Sequence, residues 1–465
     1  MEMFSLTLHK LQVWGWGLPL LLFLGGAGLY LTFLLRGIQF RFLGYAMKLA
    51  FGRHEHKNAK GDVSHFQALM MSLAAMIGIG CIAGVATAIS IGGLGALFWM
   101  WVATIFGMVI KYGEAILAIK YRTFDKKGGA CGGPMYYLDK GLGWKWLGTF
   151  YATAGCLACF ASGNMPQSNA VAEAMHNLFG LDHWWTGGIL AVITAMVLIG
   201  GVKGIGRVCS YLVPVMALFY LGGGALVLAM HIEKVPGAVW DIVASAFTGQ
   251  AAIGGFVGSS VMMAVRFGIA RGVFANEAGL GTSSIAAAAA KTDLPARQAL
   301  ISMTGAFLTT VVCTFTGLII AVTGVLGEVG PSGKLLNGVS MVMHAFNSTV
   351  PGGGVIVTIG AFFFGYSTIL GWAYYGEKCC EYLFGFRSTR IYRFLYIIFV
   401  VLGAKLSLEL VWGMADIMNG LMTVANVMGV LGLSGVIVAE TKVFLCIVDK
   451  ERQLALPKVS ETAEG

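Results

Sequence analysis

In the run MIGIGCIAGVA, Gly78, Gly80 and Gly84 fall close together among apolar neighbours. Such a run can cradle a phosphate, bring two helices together, or interrupt a helix around a ligand. A dinucleotide cradle needs a preceding strand, a βαβ unit and a later acidic residue for the ribose, and none accompanies it. Gly80 and Gly84 have the small-xxx-small spacing of a helix-packing surface, so that reading survives. Gly78 and Gly80 together, however, weaken a helix by about 1 kcal/mol each relative to alanine, which packing alone does not require. At membrane depth, backbone groups freed by an interruption cannot be left bare. Lining a cavity, freed amides hold a carboxylate and freed carbonyls hold Na+ or an ammonium group. A zwitterionic amino acid satisfies both.

Other polar residues suit such a site. In GNMPQSNA, Asn164, Gln167 and Ser168 stand at i, i+3 and i+4, on one face if the helix continues past Pro166. Interhelical hydrogen bonds are the competing use of Asn164 and Ser168. In YSTILGWAYYGE, Ser367 and Thr368 offer hydroxyl oxygens to a hard cation such as Na+, with Trp372 one turn beyond Thr368. The ordinary alternatives are back-bonding of Ser and Thr to their own helix and the interfacial aromatic belt for Trp372. Asn419 and Asn426 read as bridges between helices. Cys156 and Cys159 have CxxC spacing, but with apolar flanks and no second pair they read as packing residues. His54 and His56 lie in a basic stretch without further ligands. The apolar stretches show no nucleophilic triad, no paired buried carboxylates and no metal-spaced ligand set, which disfavours an enzyme.

The chain that must position these residues is 57% hydrophobic and 11% charged, with 67 glycines in 465 residues. Soluble proteins carry about 25% charged residues, and disorder requires low hydrophobicity. Gly is common in membrane helices. The composition therefore specifies an all-α integral membrane protein. Its net charge of +9 reads as the excess of Lys and Arg in cytoplasmic loops, not as a nucleic-acid surface. The nine cysteines lie mostly in apolar stretches and form no disulfide framework. The apolar run 13–35 is too long for a secretion signal, lacks a small-residue cleavage pattern and ends at Arg36.

With about 20 apolar residues per crossing, about eleven spans are expected: 13–36, 66–91, 95–119, 147–172, 186–202, 208–230, 240–268, 298–326, 352–375, 391–413 and 417–446. Basic residues concentrate in alternate connections, at Arg36–Lys60, at Lys120–Lys127, at Lys203 and Arg207, at Arg266, Arg271, Lys291 and Arg297, and at Lys378–Arg393. This alternation puts the N-terminus outside and the C-terminus inside. The segment 38–53 is too charged to span. Leu43, Met47, Ala50 and Phe51 share a helical face there, as in an interfacial helix.

Gly80-x-x-x-Gly84 in the second span is echoed by Gly254-x-x-x-Gly258 in the seventh. Two sets of five spans, entering from opposite faces, form an inverted repeat with an interrupted helix first in each half. The expected divisions are an extra helix and basic segment over 1–60, repeats over 61–235 and 236–447, and a cytoplasmic tail over 448–465.

GGLGALFWMWVATIFG, 92–107, resembles the signature of the alanine or glycine:cation symporter family, the sodium:alanine symporters of bacteria and archaea. GGPMYYL (132–138), GNMPQSNAVAEA (163–174), GVFANEAGLGTSSIAAAAAKTD (272–293) and STILGWAYYGE (367–377) resemble its further motifs in the family's order. The resemblance implies a LeuT-like five-plus-five inverted repeat preceded by one extra helix, and Na+-coupled uptake of small neutral amino acids. It further implies that Gly78, Ile79 and Gly80 face the substrate carboxylate. Gln167 and Trp372 would line the pocket, with Phe256 at the second break. Ser367 and Thr368 would complete a Na+ site with carbonyls near Met76 and Ile77. The chain departs from the family where GTGN is replaced by Gly78-Ile79-Gly80-Cys81, and where Ala288 stands in place of a frequent His. Cysteine sulfur is a poor ligand for a hard cation.

The reading is a secondary active symporter of the cytoplasmic (inner) membrane that carries Na+ and alanine or glycine inward by alternating access. It needs no organic cofactor and no nucleic-acid partner. The alternatives are a proton-coupled or exchange carrier of the same fold, and a non-transporting amino-acid sensor.

Overall fold

In a bilayer the backbone must find its hydrogen bonds within its own segment, and helices accordingly dominate the chain. The computed structural model describes residues 16–52, 59–125, 128–251, 258–292, 294–330 and 333–455. Gly95–Lys120, Gly201–Met230, Pro295–Thr323, Gly354–Phe384 and Leu408–Gly432 are long and apolar enough to cross a membrane. His65–Met76 and Ile79–Gly92 are long and apolar enough only when taken together, as a pair bent by 58° at the break between them. Gly95–Lys120 is buried over 78% of its most apolar window and Gly201–Met230 over 28%. The first is therefore central and the second lies at the rim.

The interruption that lies beside the first one is not at Gly254–Gly258 but after Asn276, where Val261–Asn276 ends before the chain resumes at Thr282–Ala288. Glu277 adopts φ 54°, while Gly279 and Gly281 adopt φ 85° and 77°. Left-handed residues end a helix sharply. His65–Met76 packs on Thr282–Ala288, and Ala83–Gly92 packs on Val261–Asn276. The two broken helices therefore run antiparallel with their breaks side by side.

Several expected spans divide. The 240–268 segment is two helices, Val235–Thr248 and Val261–Asn276, whose connection is pinned by pairing of Gln250 with Ser259. Residues 252–257, including Gly254 and Phe256, lie outside the described residues. The 147–172 segment stops at Ala161 and restarts at Met165. The last segment divides into Leu408–Gly432 and Ser434–Ala455. Arg266 and Arg271 lie within a helix and belong to no basic connection. Ile38–Arg41 and Leu43–Phe51 occupy the charged segment 38–53. Their packed face is Phe42, Ala46, Leu49 and Ala50, with Leu43–Phe51 lying on Pro295–Thr323. Phe51 is 57% exposed, so the packed face is offset from the one expected. His54 and His56 lie outside the described residues. The extra helix, Leu18–Leu34, packs on Gly95–Lys120.

Candidate functional site

His65–Met76 starts on a reciprocal capping box between Ser64 and Gln67. At its other end the Gly78 amide turns to the Met76 carbonyl, 2.9 Å away, instead of closing the helix onto Ala74. The Ala74 carbonyl instead receives the hydroxyls of Ser367 at 3.2 Å and Thr368 at 3.0 Å. Both hydroxyls are buried. Ser367 also back-bonds to Phe364, whereas Thr368 crosses to the other helix. The structure thus brings Ser367 and Thr368 to the first break, but onto Ala74. The Met76 carbonyl takes the Gly78 amide and the Cys81 thiol. A Cβ on Gly78 would collide with the Thr368 hydroxyl and stand 3.1 Å from Gln167 Oε1. That close approach is why the position is glycine.

Gln167 joins the first break to the end of Lys145–Ala161. Its Oε1 accepts from the Ile79 amide at 3.1 Å, and its Nε2 donates to the Ser162 carbonyl at 3.2 Å. Asn164, the residue before Met165, and Ser168 are held by other partners. Asn164 donates to Tyr396 O, and Ser168 back-bonds to Met165 O. Trp372 is buried, with its side chain against Gly163, where a Cβ would collide. It belongs to the core and not to an interfacial belt. Asn419 and Asn426 do bridge helices, through Ser162 and through Glu114, Gly279 and Tyr137.

Two groups of contacts flank the breaks. On one side the rings of Phe274 and Trp412 lie 4.7 Å apart, and a Cβ on Gly80 would come 2.9 Å from Phe274. Behind them Arg271 and Asp416 form a buried two-pronged ion pair at 3.0 and 2.7 Å, with the guanidinium 4.5 Å over the Trp412 ring. On the other side Arg122 donates to the carbonyls of Ala288, Ala290, Thr292 and Lys60. Val63 pairs with Ala290 there, tying the first broken helix to the end of the second. Ala288 lies against Gly132, where an added Cβ would come 2.5 Å from the Ala288 Cβ, so Gly132 is the residue that this contact requires to be glycine.

The expectation of no paired buried carboxylates is corrected. Lys111, Glu114 and Glu277 are buried together at the breaks. Lys111 and Glu114 stand at i, i+3 in an otherwise apolar stretch, and Glu277 stands in the Asn276–Gly281 interruption. Those two oddities were the available signal. Asp125, Cys131 and Glu381 also converge within 4.8 Å. The Lys378 ammonium already donates to both Cys131 and Glu381, and a metal ion would have to displace it. Cys156 and Cys159 are free thiols on Lys145–Ala161.

Comparison with known proteins agrees with this geometry. The model of the sodium:alanine symporter family matches residues 1–457. A sodium/alanine symporter of Methanococcus maripaludis is 51% identical over 434 residues, covering 92% of this chain and 94% of its own. A probable sodium/glutamine symporter of Bacillus subtilis is 35% identical, covering 94% and 89%. The solved structure of MhsT with L-phenylalanine superposes with a TM-score of 0.56 at 16% identity, covering 82% and 89%. At that identity the likeness shows the fold, a LeuT-like transporter arrangement.

Proposed function

The chain belongs to the sodium:alanine symporter family, and from that premise we propose that it takes up a small neutral amino acid, alanine or glycine, together with Na+. The observation that carries this reading is the meeting of Ser367 and Thr368 with the Ala74 carbonyl freed at the first break. Two hydroxyls and a helix-end carbonyl are hard oxygen donors of the kind Na+ prefers. One turn onward, the Gly80 amide and the Ile79 amide, which Gln167 Oε1 occupies in this structure, are the carboxylate-binding end, with Gln167 and Trp372 beside them. Ile79 and Phe274 narrow the space for the side chain, which favours alanine or glycine over glutamine.

Transport follows from alternate release of the two groups of contacts flanking the breaks, which serve as its barriers. Opening the Phe274–Trp412 side admits substrate, and freeing the Arg122 clamp releases it. One charge falling through 100 mV supplies about 2.3 kcal/mol, enough for roughly 50-fold accumulation.

Thr368→Val keeps the shape and removes the oxygen. The expected result is at least a tenfold rise in the Na+ concentration for half-maximal alanine uptake in proteoliposomes, with glutamine competing poorly in the parent protein. Unchanged Na+ dependence in the folded variant would assign the hydroxyl a structural role only.

The proposed arrangement has eleven crossings, repeats over 61–235 and 236–447, the N-terminus outside and the C-terminus inside. Native Cys446 is exposed and should resist an impermeant maleimide in intact cells, whereas a cysteine replacing Lys334 should react. Reaction of Cys446 from outside would invert the topology.

A further inference from the structure

The segment that follows the extra helix carries positive charge with nothing to balance it. After Leu18–Leu34 ends, Arg36 and Gly37 adopt φ of 53° and 63°, and the Gly37 amide closes back onto the Thr32 carbonyl at 2.8 Å. The chain thus turns off where the apolar span ends and re-enters helix at once. The Phe42 amide donates to the Ile38 carbonyl at 3.0 Å and the Ala46 amide to the Phe42 carbonyl at 2.7 Å, so Ile38–Arg41 and Leu43–Phe51 follow one another directly. With the packed face turned to Pro295–Thr323, Arg36, Phe40, Arg41, Gly44, Lys48 and Phe51 are left exposed. Gly44, Lys48 and Phe51 stand at i, i+4 and i+7, on one face of their helix. Phe40 is 63% exposed and Phe51 57%. No acidic residue stands between Glu2 and Glu55 in the chain. Among the described residues, none of Arg36, Arg41 and Lys48 has an ion-pair partner, and Arg41 only leans over the Phe42 ring, 5.7 Å from its centroid. The neighbouring helix Ser434–Ala455 meets Tyr45 through Phe444, with ring centroids 6.4 Å apart. Its Glu440, one turn from Phe444, is already paired with Lys120 at 2.6 Å.

We propose that this exposed strip binds the headgroup of an anionic phospholipid, in the leaflet where Leu18–Leu34 ends. Arg41 and Lys48 supply N–H donors to the phosphate oxygens, and Arg36 adds a third positive charge. Phe40 and Phe51 stand at the two ends of the strip. Exposed phenylalanines are poorly served by water and suit the boundary between headgroups and acyl chains. A soluble anion would leave both rings in water. A zwitterionic headgroup carries its own ammonium, which three uncompensated cations repel. Cations and apolar rings on one strip therefore select a ligand that is both a lipid and an anion.

The test is native mass spectrometry of the full-length protein, with equimolar dioleoyl phosphatidylglycerol and dioleoyl phosphatidylcholine in the detergent. The acyl chains are then identical and only the headgroups differ. The parent should retain at least one phosphatidylglycerol in preference to phosphatidylcholine. Arg41→Gln/Lys48→Gln should reduce that preference by about 30-fold, as expected for the loss of two cations beside a membrane surface. Arg41→Lys/Lys48→Arg should keep it, because charge and not shape is read. Excess glycerol phosphate, the soluble part of the headgroup, should leave the lipid in place. Equal retention of the two lipids by the parent would overturn the proposal. So would an unchanged preference in the glutamine variant, or its loss in the swapped variant. Displacement by glycerol phosphate would overturn it in favour of a soluble-anion site. Should the glutamine variant not fold, phosphatidylglycerol with a diazirine in its acyl chain decides on the parent alone. Crosslinks within 36–52 support the site, and crosslinks confined to other segments overturn it.

Discussion

Gly80→Leu should abolish alanine binding while the protein still inserts and folds. The first break brings Gly80 against Phe274 so closely that a Cβ would stand 2.9 Å and 3.2 Å from two ring carbons and 3.4 Å from the Ala275 Cα. A whole isobutyl group must push the ring away or enter the space beside the freed amides. Overpacking of this kind costs about 1–3 kcal/mol, and here the displaced ring belongs to the barrier over the site. Gly84→Ala is the matched control. Its Cβ would meet only the Trp412 ring, at 3.8 Å, and alanine gains about 1 kcal/mol of helix propensity over glycine. Calorimetric titration with alanine in Na+ should show no heat for Gly80→Leu and an affinity close to that of the parent for Gly84→Ala. Normal affinity in Gly80→Leu would reduce the glycines to a packing surface.

Asp416→Ala should cost both stability and uptake. It strands the Arg271 guanidinium, whose Nε already lacks a partner, in a buried place between Val261–Asn276 and Leu408–Gly432. Breaking a buried pair by removing one partner costs about 3–5 kcal/mol, whereas replacing both by apolar residues of similar volume is often neutral. Thermal unfolding in detergent should therefore fall markedly for Asp416→Ala and recover in Arg271→Met/Asp416→Leu. Uptake should remain impaired in the double variant, because the ion pair that closes the Phe274–Trp412 barrier is gone. A double variant with full uptake would confine the pair to stability. Equal melting of Asp416→Ala and the parent would show that the pair does not hold these helices.

How much of this was legible beforehand follows from which signals are local. Hydropathy, glycine clustering and charge alternation are properties of neighbouring residues. From them the sequence determined the helical membrane class and the need for an interruption at Gly78–Gly80. It also marked Ser367, Thr368 and Gln167 as polar groups to be accounted for. The tertiary structure decided the partners. Ala74 O receives the hydroxyls because the Gly78 amide turns away from it, a backbone detail that no side-chain pattern encodes. The interruption at Asn276–Gly281 lies within a family motif, yet only its packing beside the first break shows that the two meet. Arg271 read as a loop charge until the fold placed it 2.7 Å from Asp416, 145 residues away in the chain. Lys111 likewise finds Asn276 at a separation of 165 residues. A buried charge is tolerated only where a partner meets it, and which helices cross at that depth is set by packing geometry, not by the residues on either side of it in the chain.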